Sequence, residues 1–265
     1  MNILAVDDER LALEHLSDEL KKVFPQGRLH SDQDAFAALD WAGELAERGE
    51  TLDYAFLDIQ MRGIDGLELA RRLKLCQPET RIFFCTGYSG AAADAYGFLL
   101  KPTRAERIGQ LLSQTPPQWR ETPNPLPGDV RAQTFGRFEL LVNGTPLPFA
   151  EEKARELLAF LVDRRGVPAS PEQIAAALWE GEDGDRKRKS RVSAAAASLR
   201  KTLKGAGLPN LLVQSRNRLA IDPNKIKCDA YDFEKWDMSA VNAFRGAYMT
   251  GYSWAAFAPG KEQTA

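Results

Sequence analysis

The chain has 265 residues, of which 44% are hydrophobic and 27% are charged. This length exceeds the usual single-domain size of about 100 to 200 residues, so we expect two domains. The balanced composition excludes collagen-like, mucin-like and wholly disordered chains. No apolar run approaches the roughly 18 residues of a membrane helix, and the N-terminus lacks the pattern of a signal peptide. We therefore expect a cytoplasmic protein with no membrane partner.

Charge divides the chain into two parts of opposite sign. Residues 1–120 carry 14 Lys and Arg against 19 Asp and Glu, whereas residues 121–265 carry 21 against 18. Five prolines between residues 113 and 130 favour neither a helix nor a central strand. We therefore predict four regions: an N-terminal domain at 1–113, a proline-rich linker at 114–130, a second domain at 131–236, and a C-terminal helix and tail at 237–265.

Short apolar segments alternate with helical leucine patterns throughout the first domain. The predicted strands are residues 2–6, 28–31, 53–57, 81–85 and 97–100. Such alternation indicates right-handed crossovers and a parallel sheet with helices on both faces. The predicted fold is therefore α/β, with a doubly wound five-stranded parallel sheet. Only ten residues, 87–96, remain for the fourth crossover, which normally takes a dozen or more, so we expect its helix to be shortened or lost.

Polar residues follow the predicted strands of this domain. Asp7 and Asp8 follow the first strand, Asp58 ends the third, Thr86 ends the fourth and Lys101 follows the fifth. The carboxyl ends of parallel strands meet at one edge of a sheet, so these side chains are expected to line one crevice. Three carboxylates within about 5 Å would repel by roughly 3 kcal/mol per pair at an effective dielectric of 20. A hard divalent cation such as Mg²⁺ would relieve that repulsion.

Four motifs in this order resemble the receiver domain of two-component response regulators across residues 1 to about 113. They are ILAVDDE at residues 3–9, FLDIQM with GIDG at 56–66, CT at 85–86 and LLKP at 99–102. The resemblance implies a CheY-like fold and phosphoryl transfer from a sensor histidine kinase. It also implies that Asp58 is the phosphoacceptor, a carboxylate nucleophile.

The same resemblance implies roles for the surrounding residues. Asp8, Asp58 and the backbone carbonyl of Gln60 would hold Mg²⁺, with Asp7 acting through water. Lys101 would supply positive charge, and the bond from Lys101 to Pro102 would be cis. Thr86 would be the switch residue. Phe98 stands where the family often carries an aromatic that rotates inward, although plain core packing would equally explain it.

Three functional alternatives follow from these residues. The first is a regulator controlled by phosphorylation of Asp58. The second is a regulator of the same build that ignores phosphorylation, because in the family the fourth helix contributes to the phosphorylation-dependent homodimer and here its crossover is short. The third is a haloacid-dehalogenase-like phosphohydrolase, which also uses an aspartate after a strand. That class needs a second aspartate two positions later, where Gln60 stands.

The second domain begins with a strand signal and contains three helical patterns. Asn143 and Gly144 form the strongest two-residue hairpin signal. A helix is predicted from Glu151 to near Gly166, and a second begins with Ser170 at its cap and Pro171 at its first position. A basic segment follows: residues 186–218 contain ten Lys and Arg and no Asp or Glu. A hairpin with two arginines near its tip is predicted at residues 211–221.

The basic segment has two faces at helical spacing. Val192, Ala196, Leu199 and Leu203 form a stripe that we expect to be buried. The opposite face is cationic at its ends and carries Ser and Ala in its middle, which would let the helix enter a major groove. With the adjacent basic residues and the hairpin tip, the predicted DNA-binding residues are Lys187, Lys189, Ser190, Arg191, Ser193, Ala194, Ala197, Lys201, Lys204, Arg216 and Arg218.

The order of these elements resembles the winged helix-turn-helix of OmpR-type regulators and, more closely, the Streptomyces antibiotic regulatory protein (SARP) group. The matching segments are KARELLAFL at residues 153–161, ALW at 177–179, residues 192–203, and CDAYDFE at 228–234. The resemblance implies binding to double-stranded promoter DNA and contact with RNA polymerase. Residues 243–254 resemble the start of a bacterial transcriptional activation domain. We expect one helix and an aromatic tail there, packed on the DNA-binding domain or available to a partner.

Overall fold

The computed structural model describes residues 1–87, 97–114, 128–180 and 185–256, with side chains placed from residue 188 onward in the last range. The chain divides into two compact units. Unit 1 comprises Met1–Thr122 and Phe233–Gly246, and unit 2 comprises Pro123–Asp232 and Ala247–Ala265. Among the described residues, no helix has the length and apolarity needed to cross a bilayer.

Unit 1 is built on a five-stranded parallel sheet. Its strands are β1 (Asn2–Val6), β2 (Arg28–Asp32), β3 (Tyr54–Asp58), β4 (Arg81–Thr86) and β5 (Phe98–Leu100). Their order is β2-β1-β3-β4-β5, so the chain reverses direction across the sheet between β1 and β3. This is the flavodoxin-like order, in which ligands bind beyond the carboxyl ends of the strands at the reversal. The predicted five-stranded doubly wound sheet is confirmed.

Helices cover both faces of this sheet. They are α1 (Arg10–Val23), α2 (Ala35–Glu47), α3 (Gly66–Cys76) and α4 (Ala105–Ser113). Leucines of α1 and α4 join Phe56, Phe83 and Cys85 in one continuous apolar core on one face. The opposite side chains of β4, at Ile82 and Phe84, are fully buried on the other face. The predicted shortening of the fourth crossover helix concerns residues 88–96, which lie outside the described residues.

In its described residues, unit 2 combines two small sheets with three helices and the start of a fourth. A four-stranded sheet, in the order β11-β6-β7-β8, contains β6 (Val130–Gln133), β7 (Glu139–Val142), β8 (Thr145–Pro146) and β11 (Lys227–Cys228). Asn143 and Gly144 join β7 to β8 and have φ values of 51° and 78°, the left-handed conformation that a tight hairpin requires. Strand β6 begins at Val130, so it takes the last residue of the predicted linker.

Three helices and a second hairpin complete unit 2. The helices are α5 (Glu152–Asp163), α6 (Pro171–Leu178) and α7 (Asp185–Gly205). At the start of α6, Ser170 and Gln173 form a reciprocal capping box, as the serine-proline signal predicts. Strands β9 (Leu212–Ser215) and β10 (Arg218–Ile221) form the hairpin. Leu219 of β10 exchanges two backbone hydrogen bonds with Ala169, so the hairpin is fixed beside the start of α6.

The C-terminal part of the chain does not follow the predicted division at residue 236. Helix α8 (Asp229–Glu234) is followed by α9 (Met238–Ala243), and both Trp236 and α9 belong to unit 1. The structure groups this helix with unit 1 and not with the unit that contains α7. After Gly246 the chain returns to unit 2, where Tyr248 bridges to Phe135 and Trp254 packs on Phe160. The sequence did not predict that the chain passes back into unit 1 here, because α9 has only six residues, too few to show a helical periodicity.

Candidate functional site

An acidic site lies at the carboxyl edge of the unit 1 sheet. Asp7 directly follows β1, Asp58 and Thr86 are the last residues of β3 and β4, and Lys101 directly follows β5. Asp7, Asp58 and Thr86 are buried, with exposed fractions of 1%, 7% and 6%. The structure thus brings these predicted residues together, because the parallel strands end at the same edge.

Three carboxylates of the acidic site face one another. One oxygen each from Asp7, Asp8 and Asp58 lie within 4.8 Å of each other, and no other such group of metal-ligand side chains occurs in the part of the chain that the structure describes. Oxygen donors alone, two of them buried, match the ligands that Mg²⁺ prefers, and the open side of the site leaves room for water. The donor set therefore fits the predicted magnesium ion.

Lys101 binds two of these carboxylates at once. Its Nζ lies 2.7 Å from an oxygen of Asp7 and 2.7 Å from an oxygen of Asp58. Burial opposes the charge of Lys101, but the two carboxylates outweigh burial and raise its pKa. Burial also raises the pKa of Asp58, and Lys101 offsets only part of this effect. The lysine is thus fixed in its charged form beside the predicted phosphoacceptor.

The segment after β3 forms one wall of the site. Ile59, Gln60 and Lys101 line a cavity together with Asp58 and Thr86. A Cβ on Gly66 would lie 2.3 Å from the carbonyl oxygen of Asp58, so only glycine fits where α3 begins. The Gly66 amide also donates to the carbonyl of Ile59. These contacts return the loop after Asp58 onto the sheet and keep the carboxylate facing the cavity.

Two contacts at this site were not predicted from the sequence. Arg62 approaches Asp8, with its backbone amide 3.2 Å and its Nε 3.5 Å from Asp8 Oδ2. The Glu9 amide donates to Asp7 Oδ1 at 3.1 Å. Arg62 stands between the two segments FLDIQM and GIDG and belongs to neither, so the motif did not indicate this contact. The Glu9 contact is a local backbone turn and has no side-chain signature.

The residues expected to respond to Asp58, Thr86 and Phe98, lie on the neighbouring strands β4 and β5. Phe98 is buried, and its ring centroid lies 5.9 Å from that of Phe84 on the neighbouring strand. The Lys101–Pro102 bond is cis, as the resemblance implies. Next to it, Lys101 N donates to the carbonyl of Thr86, which ties the lysine to the end of β4.

The predicted DNA-binding helix, α7, has the expected two faces in its described side chains. Val192, Ala196, Leu199 and Leu203 are buried, with Ala195 beside them. The predicted contact residues on the other side are exposed; we call these residues the basic face, and they are Lys189, Ser190, Arg191, Ser193, Ala194, Ala197, Lys201 and Lys204. The side chain of Lys187 lies outside those described.

Two cations of this region already have protein partners. Lys189 forms a 2.8 Å ion pair with Glu172 of α6, which lowers the pKa of Glu172 to about 2 through a side-chain hydrogen bond. Arg200 donates to Gln214 of β9 at 2.5 Å and so links α7 to the hairpin. At the hairpin turn, Arg216 has a φ of 52°, and both Arg216 and Arg218 are exposed. Neither the Glu172 nor the Gln214 contact was predicted.

Comparison with known protein families identifies the N-terminal region. Residues 3–113 match the response regulator receiver domain. The match covers the sheet, helices α1 to α4 and the whole acidic site. These residues therefore match a receiver domain in both sequence and fold.

Similar proteins are named as regulators. The chain is 34% identical over 125 residues to the positive alginate biosynthesis regulatory protein of Pseudomonas aeruginosa, covering 43% of this chain and 46% of that protein. It is 31% identical over 119 residues to the sensory transduction protein LytT of Bacillus subtilis, covering 43% and 47%. A solved response regulator of Burkholderia pseudomallei with a phosphorylated aspartic acid shares 26% identity over 43% of this chain and 66% of that one, with a TM-score of 0.35. The chain spans about half the length of these curated relatives.

Proposed function

We propose that the protein is a transcriptional regulator in which phosphorylation of Asp58 controls DNA binding by unit 2. The observation that carries the proposal is the pairing of Lys101 Nζ with both Asp7 and Asp58 at 2.7 Å inside a three-carboxylate cluster. A phosphoryl group arriving at Asp58 would find a fixed ammonium group, a site for a divalent cation and a neighbouring hydroxyl. Such prearranged charge is what phosphoryl transfer requires.

The reaction assigned to Asp58 is nucleophilic displacement. One carboxylate oxygen attacks the phosphorus of a phosphohistidine, an oxygen–phosphorus bond forms, and the phosphorus–nitrogen bond breaks with its electron pair passing to the imidazole. Asp7, Asp8, Asp58 and the carbonyl of Gln60 would hold Mg²⁺, which would neutralise charge on the phosphoryl oxygens. Lys101 would contact the same oxygens, and Thr86 would donate its hydroxyl to them and act as the switch together with Phe98.

The DNA-binding role of unit 2 rests on its three helices and hairpin. The exposed basic face of α7, the buried stripe behind it and the arginines at the β9–β10 turn together support a winged helix-turn-helix of the OmpR and SARP type. In this arrangement α7 would lie in the major groove of promoter DNA, with Ser193, Ala194 and Ala197 near the bases. The lysines and arginines at its ends would bind phosphates and set the register. RNA polymerase is the partner expected for such a regulator.

A second candidate is a regulator of the same build that does not use phosphorylation. It is favoured by the short connection between Thr86 at the end of β4 and Phe98 at the start of β5, which has fewer residues than a parallel crossover normally takes. In the family, this connection contributes to the surface through which phosphorylation promotes homodimers. The two candidates differ in whether Asp58 accepts a phosphoryl group and in whether DNA affinity changes as a result.

The test is labelling with a small phosphodonor. The full-length protein is incubated with Mg²⁺ and acetyl phosphate, its intact mass is measured, and its affinity for DNA selected from a random pool is measured with and without the donor. We expect a gain of one phosphoryl group that Asp58→Asn abolishes and that Asp65→Asn, which keeps an N-cap for α3, retains. Labelling with no change in DNA affinity, or no labelling at all, would favour the second candidate.

A further inference from the structure

The segment Phe233–Gly246 packs against strand β4 and the start of β5 in the receiver sheet. We call it the docked segment; it contains Trp236 and α9 and belongs to unit 1, while the residues before and after it belong to unit 2. We infer that the docked segment completes the receiver beside β4 and β5, and that it is the element through which Asp58 phosphorylation changes unit 2. This inference rests on the proposed function.

The first observation is that Asn242 pairs with the backbone of β4. Among the described residues, strand β5 pairs with Phe84, Cys85 and Thr86, so it begins beyond Ile82 along β4. Asn242 Oδ1 accepts from the Ile82 amide at 2.9 Å, and Asn242 Nδ2 donates to the Ile82 carbonyl at 3.1 Å. A side-chain amide carries one acceptor and one donor group, so Asn242 pairs with both backbone groups of Ile82 as a neighbouring strand would.

The second observation is close packing on the aromatic side chains of the sheet. Trp236 meets Phe84 edge to face, with ring centroids 4.9 Å apart, and Phe84 in turn contacts Phe98. Gly97, immediately before β5, has a φ of 90°, and a Cβ there would lie 2.5 Å from Met238 Cγ. The docked segment therefore fills the space against β4 and β5 so closely that a single methyl group could not be added.

Its far end is seated as closely on α3. A Cβ on Gly246 would lie 2.8 Å from the carbonyl oxygen of Lys74, and Arg245 Nε lies 3.2 Å from Glu79 Oε1. Within the segment, Phe233 and Phe244 pack edge to face at 5.7 Å. The segment thus has its own small core and contacts the receiver at both ends.

The docked segment also reaches the acidic site. Trp236 lines a cavity together with Asp8, Gln60 and Arg62, residues that surround the predicted phosphoryl and metal position. Its backbone φ of 63° lies in a region that residues with a Cβ rarely adopt, so packing must hold the indole there. Phe84 and Thr86 are two residues apart on β4, so their side chains share one face of the sheet.

These contacts give a physical route from Asp58 to unit 2. If Thr86 moves toward a phosphoryl group on Asp58, the packing of Phe84, Phe98 and Trp236 has to change, and the stability of the docked conformation changes with it. Because the docked segment continues covalently into unit 2 at both ends, docked and released forms impose different constraints on that unit. Phosphorylation would then shift the population between the two forms.

The test compares Asn242→Ala and Met238→Ala, which removes the side chain packed on Gly97, with the wild-type protein and with Asn224→Ala, a matched control at an exposed turn of unit 2. Phosphoryl incorporation is measured by intact mass, and DNA affinity is measured with and without acetyl phosphate. We expect both docked-segment variants to incorporate the phosphoryl group, which also shows that their receiver is folded. Their ratio of phosphorylated to unphosphorylated DNA affinity should fall to about one, while Asn224→Ala keeps the wild-type ratio.

A second measurement does not depend on phosphorylation. Hydrogen exchange of the unmodified full-length protein should be about tenfold faster at Ile82 in Asn242→Ala than in the wild type, as expected for one lost hydrogen bond, and unchanged in Asn224→Ala. Retention of the wild-type affinity ratio by Asn242→Ala and Met238→Ala overturns the coupling. If the DNA affinity of the wild-type protein does not depend on phosphorylation, the proposed function fails. Independently of that result, unchanged hydrogen exchange at Ile82 in Asn242→Ala would overturn the inference that the docked segment completes the receiver.

Discussion

The acidic site of unit 1 and the basic face of unit 2 are both assigned to phosphate groups, yet they are built in opposite ways. At the acidic site Asp7 is 1% and Asp58 7% exposed, and Lys101 is held 2.7 Å from each. On the basic face, Arg191, Lys201 and Lys204 are exposed to solvent. A buried, prearranged charge suits a chemical step on one phosphoryl group, whereas exposed charges along a helix suit many backbone phosphates.

The largest predicted difference between the two sites is in their response to salt concentration. Five exposed cations, Arg191, Lys201, Lys204, Arg216 and Arg218, give a predicted slope that lowers DNA affinity about 500-fold between 50 and 200 mM salt. Labelling of Asp58 by acetyl phosphate should change less than about threefold over that range, because buried charges are poorly screened. Fluorescence anisotropy and intact mass measure the two effects. DNA affinity that is insensitive to salt would refute the basic face as the binding surface.

Removal of Lys101 should have the next largest effect. Lys101→Ala leaves the carboxylates of Asp7 and Asp58 buried without their shared cation, and we expect a loss of about 3 kcal/mol in the free energy of unfolding. Urea denaturation in the presence of a chelator measures it. The matched control is Lys21→Ala, whose ion pair with Asp18 is solvent-exposed and should contribute nothing measurable. Equal effects of the two substitutions would contradict the contrast between buried and exposed pairs.

A third lysine, Lys74, is buried like Lys101 but has no carboxylate in contact with it. It is 1% exposed, and burial, together with the charge of Arg245, lowers its pKa to about 7. Above pH 7 the folded state therefore binds fewer protons than the unfolded state, so stability should rise with pH toward the ordinary lysine pKa. We expect a gain of about 2 kcal/mol from pH 7 to pH 9. Lys74→Met should lack this gain in urea denaturation at the two pH values.

The smallest predicted effect concerns the ion pair between Glu172 and Lys189. Glu172 lies 2.8 Å from Lys189, so Glu172→Gln removes a negative charge beside the basic face and should raise DNA affinity about threefold at low salt. Glu139→Gln on β7 removes the same charge elsewhere in unit 2 and serves as the control. An identical rise in both variants would indicate a general effect of net charge rather than loss of the charge beside the basic face.

The sequence was sufficient to predict the acidic site because the same local pattern, a polar residue at the end of a strand, occurs several times. Asp7, Asp58, Thr86 and Lys101 each stand at a strand end, and parallel topology brings strand ends together whatever else the chain does. The buried stripe of α7 was equally accessible, since Val192 to Leu203 spans three helical turns.

The docked segment could not be predicted for the opposite reasons. Helix α9 is six residues long, and Asn242 meets Ile82 across 160 positions of sequence. Neither a short helix nor a single asparagine has a sequence pattern that predicts which residue it contacts. The Glu172 and Lys189 pair was missed for the same reason, because which of many surface charges meet depends on how α6 and α7 pack.

The use of Asn242 in place of a sheet partner affects how the receiver behaves when cut from the chain. A fragment ending at Ser113 would leave the amide and carbonyl of Ile82 and the ring of Phe84 without the groups that cover them in the intact protein. Unpaired backbone groups beside bare aromatic surface invite edge-to-edge association. Such a fragment should therefore self-associate as its concentration rises, and adding the peptide of residues 233–246 should restore the monomer.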